Sequence, residues 1–233
     1  MPKQKVADNE TKNYYERLPA HLKSTCPNPD FESTGIRLPA RIIIIGSSGS
    51  GKTVALFSLL ERSPRSFSKI VLCVKSIEEP LYRHLVETTP PDILDYYENG
   101  EIPPLEKYKG NRGHGLFIAD DLMALSKQEQ LPISEWAIRC RKLGEHGFSF
   151  VYITQSFFAV PKNIRLQADH LFIKKLSSTR DLNLILSDCS LGISKQQLTN
   201  YYKTATKGKW DFLTIALSAE DECKYRRNFL EIL

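Results

Sequence analysis

The sequence predicts an α/β fold with a mainly parallel central sheet flanked by helices, on three observations. Short β-rich apolar runs alternate with segments of helical period, which is how a parallel sheet covered by helices reads. Several of those runs are continuously apolar, as strands buried on both faces must be. A glycine-rich loop joins the first run directly to a helical one, the strand, loop and helix arrangement that can cradle a phosphate.

The elements follow in order. Strands are expected at RIIIIG from Arg41, KIVLCVK from Lys69, GLFIADD from Gly115, FSFVYITQ from Phe148, HLFIKKL from His170 and DFLTIAL from Asp211. Helical period places helices over 52–62, 78–88, 131–146, 178–188 and 194–205. The stretch TTPPDILDYYENGEIPPLEKYKGNRGHG, punctuated by prolines and glycines, reads mostly as an excursion between strands that carries subunit or substrate contacts. Residues 1–34 read as an N-terminal arm, partly flexible, and 35–233 as a single P-loop domain.

Composition narrows the class further. With 233 residues, 41% of them hydrophobic and 25% charged, the chain has enough apolar material for one core; a disordered chain, a disulfide-stapled mini-protein and a coiled coil are excluded. The longest aliphatic run, Ile42 to Ile45, is far short of the ~20 residues a spanning helix requires, so no stable membrane insertion is expected. The first thirty residues are polar and charged without an apolar central region, so no secretory signal is expected and the protein is expected to work inside a cell. Cys26, Cys73, Cys140, Cys189 and Cys223 form no C-x-x-C pair and read as buried, reduced thiols. The formal charge is +5, and residues 160–233 hold 12 basic and 8 acidic side chains. That excess suits a polyanion such as DNA, although many solvated surfaces carry as much.

The chemistry concentrates in Gly46-Ser47-Ser48-Gly49-Ser50-Gly51-Lys52-Thr53, followed by Val54. Glycines in this spacing let backbone N–H groups turn inward at a helix N-terminus, where unpaired donors and the macrodipole favour phosphate. Lys52 is expected on the β- and γ-phosphates of ATP and Thr53 on Mg²⁺. The apolar run LFIA ends in Asp120-Asp121, the two acids of a Walker-B strand. Asp120 is expected at the metal and Asp121 as the group that polarises the attacking water, the alternative being that both cap a following helix. Gln155, closing the run FVYIT, falls at the same sheet edge and is a candidate sensor of the γ-phosphate. In ISEWAIRCRKLGEHG, Arg139 and Arg141 flank an apolar stripe. Such arginines commonly snorkel, and Glu135 is spaced to pair with Arg139. In a P-loop ATPase an arginine near the sensor strand is also a candidate finger for the neighbouring subunit's nucleotide. The five histidines lack metal-ligand spacing, and Tyr201-Tyr202 reads as packing.

The blocks GSSGSGKT, LFIADD and RCRKLGEHGFSFVYITQSFFAVPKNIR, with LSSTRDLNLILSD and the closing KYRRNF, fall in the order of one viral group. Over residues 35–233 the chain resembles the genome-packaging ATPases of the FtsK–HerA superfamily found in poxviruses and other large DNA viruses, virophages and polinton-like elements. The resemblance implies a RecA-like P-loop domain that assembles as a pentameric or hexameric ring, hydrolyses ATP with Mg²⁺ between neighbours, and drives double-stranded DNA into a preformed capsid through a packaging vertex. It implies action in the virus factory of the host cytoplasm, and in the virion. It also makes Arg141 the leading trans-acting finger, with Arg139 and Arg165 as competitors. Cys140 stands where glycine is expected between the two arginines, and Gln167 where relatives often carry asparagine. Two other functions use the same loop: a DNA helicase or recombination translocase, and a small-molecule kinase, for which no acceptor pocket or lid is legible.

Overall fold

The computed structural model describes residues 13–19, 26–122, 126, 128–219 and 221–233, with the backbone alone at 221 and 222. Residues 1–12 and 20–25 of the expected arm lie outside the described residues. The arm's last residues pack. A short helix, α1 (Phe31–Thr34), follows the buried Asp30, whose carboxylate takes the Arg65 guanidinium at 3.0 Å and the Ser66 hydroxyl at 2.7 Å.

Nine strands form one sheet: β1 (Arg41–Ile45), β2 (Lys69–Val74), β3 (Leu94–Tyr97), β4 (Gly115–Asp120), β5 (Phe148–Thr154), β6 (His170–Ile173), β7 (Leu213–Ala216), β8 (Tyr225–Arg227) and β9 (Glu231–Ile232). Their order is β3-β2-β4-β5-β1-β6-β7-β8-β9. The first six are parallel and the last three add in antiparallel fashion. Between them run α2 (Lys52–Arg62), α3 (Pro80–Thr88), α4 (Leu131–Arg139), α5 (Lys162–Arg165), α6 (Arg180–Asp188), α7 (Lys195–Ala205) and α8 (Asp221–Lys224). Ser194 caps α7 through a capping box with Gln197, which satisfies two backbone donors reciprocally.

The isoleucine run shows why the sheet is buried on both faces. Side chains alternate along a strand, so Ile42 and Ile44 enter one core with Leu56 and Leu59 of α2, while Ile43 and Ile45 enter the other with Phe117, Trp136 and Phe150. On that second face Phe117 stacks on Trp136 at 4.3 Å between ring centres. The Trp136 indole N–H is satisfied by the Pro103 carbonyl at 2.8 Å. Among the described residues no helix is long and apolar enough to cross a membrane.

Three expectations need correction. The proline-rich excursion contains a strand, β3, which lies at the sheet edge and pairs with β2 alone. The helix expected over 131–146 stops at Arg139: Cys140–Lys142 tighten into a 3₁₀ turn, and Gly144 and Gly147 take φ of 70° and 74°, which no helix accommodates. All five cysteines are free thiols, but only Cys73, Cys140 and Cys189 are buried; Cys26 is half-buried and Cys223 exposed. Tyr201 and Tyr202 do pack: Tyr201 stacks on Tyr225 at 4.9 Å, and the Tyr202 hydroxyl accepts from Leu176 N–H at 2.8 Å.

Candidate active site

The glycine-rich loop leaves β1 at the centre of the sheet and enters α2. Gly49 and Gly51 adopt φ of 70° and 84°, a left-handed backbone that side chains resist. Gly46 is needed for space, because a Cβ there would lie 2.6 Å from Cβ of Lys174. Ser47 anchors the loop to the neighbouring strand end, its N–H donating to the Lys175 carbonyl at 2.8 Å. The Ser50 hydroxyl is buried and has no hydrogen-bond partner among the described residues. Together with the N-terminus of an 11-residue helix, an unpaired buried donor suits an anion in the loop. Lys52 reaches back to the Ser47 carbonyl at 3.1 Å. Burial lowers its pKa, and the nearby Asp120 and Asp121 carboxylates oppose that shift.

Asp120 ends β4, the strand two places from β1, and Asp121 follows it directly. Asp120 is the more enclosed. Desolvation pushes its carboxyl up to about 6, against the Tyr82 hydroxyl bond and the Lys52 charge, which both pull it down. Tyr82, on α3 and only 2% exposed, donates to Asp120 Oδ2 at 2.5 Å and also meets the Thr53 hydroxyl. Thus Thr53 and Asp120, the two residues expected at the metal, share a single hydrogen-bonding phenol. At Asp121 the backbone turns left-handed, φ 55°, which aspartate tolerates better than most residues, and its side chain stands exposed at the sheet edge. Gln155 follows Thr154, whose carbonyl accepts from Gly46 N–H at 3.2 Å, so it is exposed at the same edge beside the loop. Val54 continues the first turn of α2 behind Thr53. Lys52, Thr53, Asp120, Asp121 and Gln155 are therefore brought together at the C-terminal edge of the parallel strands.

The arginines lie elsewhere. Arg141 sits before β5, at the opposite edge of the sheet, where its guanidinium meets Asp169 Oδ2 at 2.5 Å and the head is partly exposed. Arg41 N–H donates to the same oxygen at 2.8 Å, and Gln167 accepts from the Arg41 guanidinium. Arg139 pairs with Glu135, as its i,i+4 spacing suggests, and approaches Glu106 at 3.8 Å. Arg165 is 12% exposed, between Asp188 at 3.3 Å and the Phe157 ring at 5.4 Å. Of these three candidates, Arg141 and Arg139 present a substantially exposed guanidinium and Arg165 does not.

Tyr82 and Trp210 were not among the residues expected here. The Trp210 indole packs on Gly51, where a Cβ would meet it at 2.8 Å, and Lys174 Nζ donates to the Trp210 carbonyl from beneath. Both aromatics come from segments whose position depends on tertiary packing, and no local motif marks them.

With this geometry in view, the likeness to known proteins is specific. A family model described as Poxvirus A32 protein matches residues 31–217. The genome packaging NTPase B204 from Sulfolobus turreted icosahedral virus 2, solved in complex with AMPPCP, is similar at 15% identity with a TM-score of 0.56, over 83% of this chain and 98% of that one. B204 described as the DNA-packaging ATPase from Sulfolobus Turreted Icosahedral Virus gives 15% identity and 0.57, over 87% and 98%. EssC (ATPases 2 and 3) from Geobacillus thermodenitrificans gives 8% identity and 0.51, over 84% of this chain and 40% of that one. At these identities the structural likeness concerns the fold. A search of curated protein sequences finds no match. The family model covers most of the chain, including the glycine-rich loop and both acids, and the chain belongs to the poxvirus A32 protein family.

Proposed function

We propose that this chain is a ring-forming ATPase motor that hydrolyses ATP to translocate double-stranded viral DNA into a preformed capsid. The observation that carries the reading is the convergence of Lys52 with Asp120 and Asp121 at the mouth of the glycine-rich loop, an ammonium near two carboxylates beside a phosphate-binding turn. Membership of the poxvirus A32 family and a fold shared with B204, a genome packaging NTPase solved with ATP analogues, support ATP as the nucleotide.

In this reading the backbone N–H groups of Gly46 to Val54 hold the phosphates, and Lys52 supplies positive charge at the γ-phosphoryl group. Thr53 and Asp120 would hold Mg²⁺, which would supply positive charge to neutralise the β- and γ-phosphates. Asp121 polarises the attacking water, and Gln155 orients it. Arg141 precedes β5, whose seven residues span about 20 Å between that end of the sheet and the loop, so as a finger it serves a neighbouring subunit and not its own loop. Work in the host cytoplasm and at a capsid vertex follows from the same reading.

The experiment is displacement of a third strand from a triplex by the purified protein. ATP-dependent displacement without separation of the underlying duplex is the expected result. Duplex unwinding favours a helicase, and hydrolysis indifferent to DNA a kinase.

A further inference from the structure

A nucleotide held by its phosphates must lay its base on one flank of the loop. On the β5 and β4 flank stand Gln155, Asp121 and Asp120, backed by Tyr82: polar and acidic groups that fit γ-phosphate chemistry. On the other flank β6 ends in Lys174, and above it rises Trp210, an indole that is 50% exposed.

Trp210 is held where it stands. Its ring rests on Gly51, the last glycine before Lys52, and its carbonyl accepts from Lys174 Nζ. The next residue, Asp211, accepts from Gly208 N–H at 3.1 Å, from the Arg227 guanidinium at 2.7 Å and from the Asn228 amide at 3.0 Å. Asn228 Oδ1 in turn accepts from Phe212 N–H at 3.1 Å. A loop so fastened holds one face of a large apolar ring against Gly51 and leaves about half of the residue open to solvent, a rigid platform. The Lys209 ammonium lies 4.6 Å over the ring. At an exposed site such a cation–π contact is weaker than a base–indole stack, so an arriving base displaces it.

We infer that Trp210 is the stacking platform for the nucleobase of the bound nucleotide, with Lys174 and Asp211 as its positioning residues. This rests on the phosphate-loop reading above and deepens it: Gly51 brings the last turn of the loop against the indole, so one glycine serves the phosphates through its backbone and the base through its lack of a side chain.

The test uses the full chain, which has two tryptophans. Trp136 is fully buried and hydrogen-bonded to Pro103, so it reports folding, while Trp210 reports the site. ATP and inorganic tripolyphosphate are titrated against wild type, Trp210→Ala and Trp210→Phe, following emission and, independently, heat of binding. The expected result is quenching by ATP alone. Trp210→Ala should lose affinity for ATP by about 10-fold and none for tripolyphosphate, with Trp210→Phe recovering most of the loss. Equal loss for both ligands would make Trp210 a support of the loop, and unchanged ATP affinity would remove it from the site; either overturns the inference. Normal ATP affinity with lost DNA stimulation would assign the indole to DNA and overturn it too. Binding of neither ligand by wild type would sink the phosphate-loop reading itself.

Discussion

The Tyr82 hydroxyl donates to Asp120 Oδ2 at 2.5 Å, tying α3 to the acid at the end of β4 and to Thr53 at the start of α2. This bond lowers the Asp120 pKa, whereas burial raises it to about 6. A metal-holding carboxylate must be ionised, so in the proposed role the pH at which Asp120 titrates is expected to set the acid limit of activity.

Tyr82→Phe removes a bond that favours the carboxylate, so Asp120 titrates higher. The acid limb of kcat/KM, expected near pH 6 in the wild type, should move upward by about half to one pH unit, with activity at pH 8 nearly retained. Measuring kcat/KM from pH 5 to 9 checks this. An unmoved limb would mean that Tyr82 only packs.

Asp120→Asn should separate stability from activity. Asp120 titrates at about 6 when folded and near 3.8 when unfolded, so between these values the folded state binds more protons than the unfolded one. Stability therefore falls as pH rises from 3.8 through 6, and above 6 the full penalty of a buried carboxylate is present. Asparagine lacks that charge and can still accept from Tyr82. The nucleotide-free variant should be more stable at pH 7.5 by about 1–2 kcal/mol, discounted for the lost attraction to Lys52, and the gain should vanish below pH 4. Hydrolysis should fall at least ~100-fold. Thermal melts across this range, with turnover, are the measurement; a variant less stable at pH 7.5 would show that the carboxylate is structurally needed.

How much of this was legible beforehand depends on how local each feature is. The glycine-rich loop and Asp120-Asp121 are contiguous in the chain, and their chemistry needs only the strand and helix beside them. The central strands announce themselves because burial on both faces demands an unbroken apolar run such as Ile42 to Ile45. Edge strand β3 has one neighbour and carries Asp95, which pairs with Lys69 and Lys107, so its composition resembles a loop. Tyr82 and Trp210 reach the site from positions 38 residues before Asp120 and far beyond Lys52, through packing that no period encodes. Arg141 was visible, but its partner Asp169 and its place at the far sheet edge follow from the parallel topology.

That placement makes the finger testable. The Arg141–Asp169 pair is partly exposed, so Arg141→Ala should change stability by no more than about 1 kcal/mol. ATP binding should be near normal and hydrolysis ~10³-fold slower. Mixing with Asp121→Asn should restore part of the activity, because some interfaces then join an intact Arg141 to an intact Asp121. Mixed rings without recovery would show that Arg141 only packs, and the same cross would then be applied to Arg139.

The most direct measurement is ATP hydrolysis by wild type and by Lys52→Ala, each with and without double-stranded DNA. The wild type should hydrolyse ATP and turn over several-fold faster on DNA, and Lys52→Ala should be inactive under both conditions, because without the ammonium the charge building on the γ-phosphoryl oxygens goes uncompensated. Full activity in Lys52→Ala, or a wild-type rate that ignores DNA, would contradict the account of this chain as a DNA-driven P-loop motor.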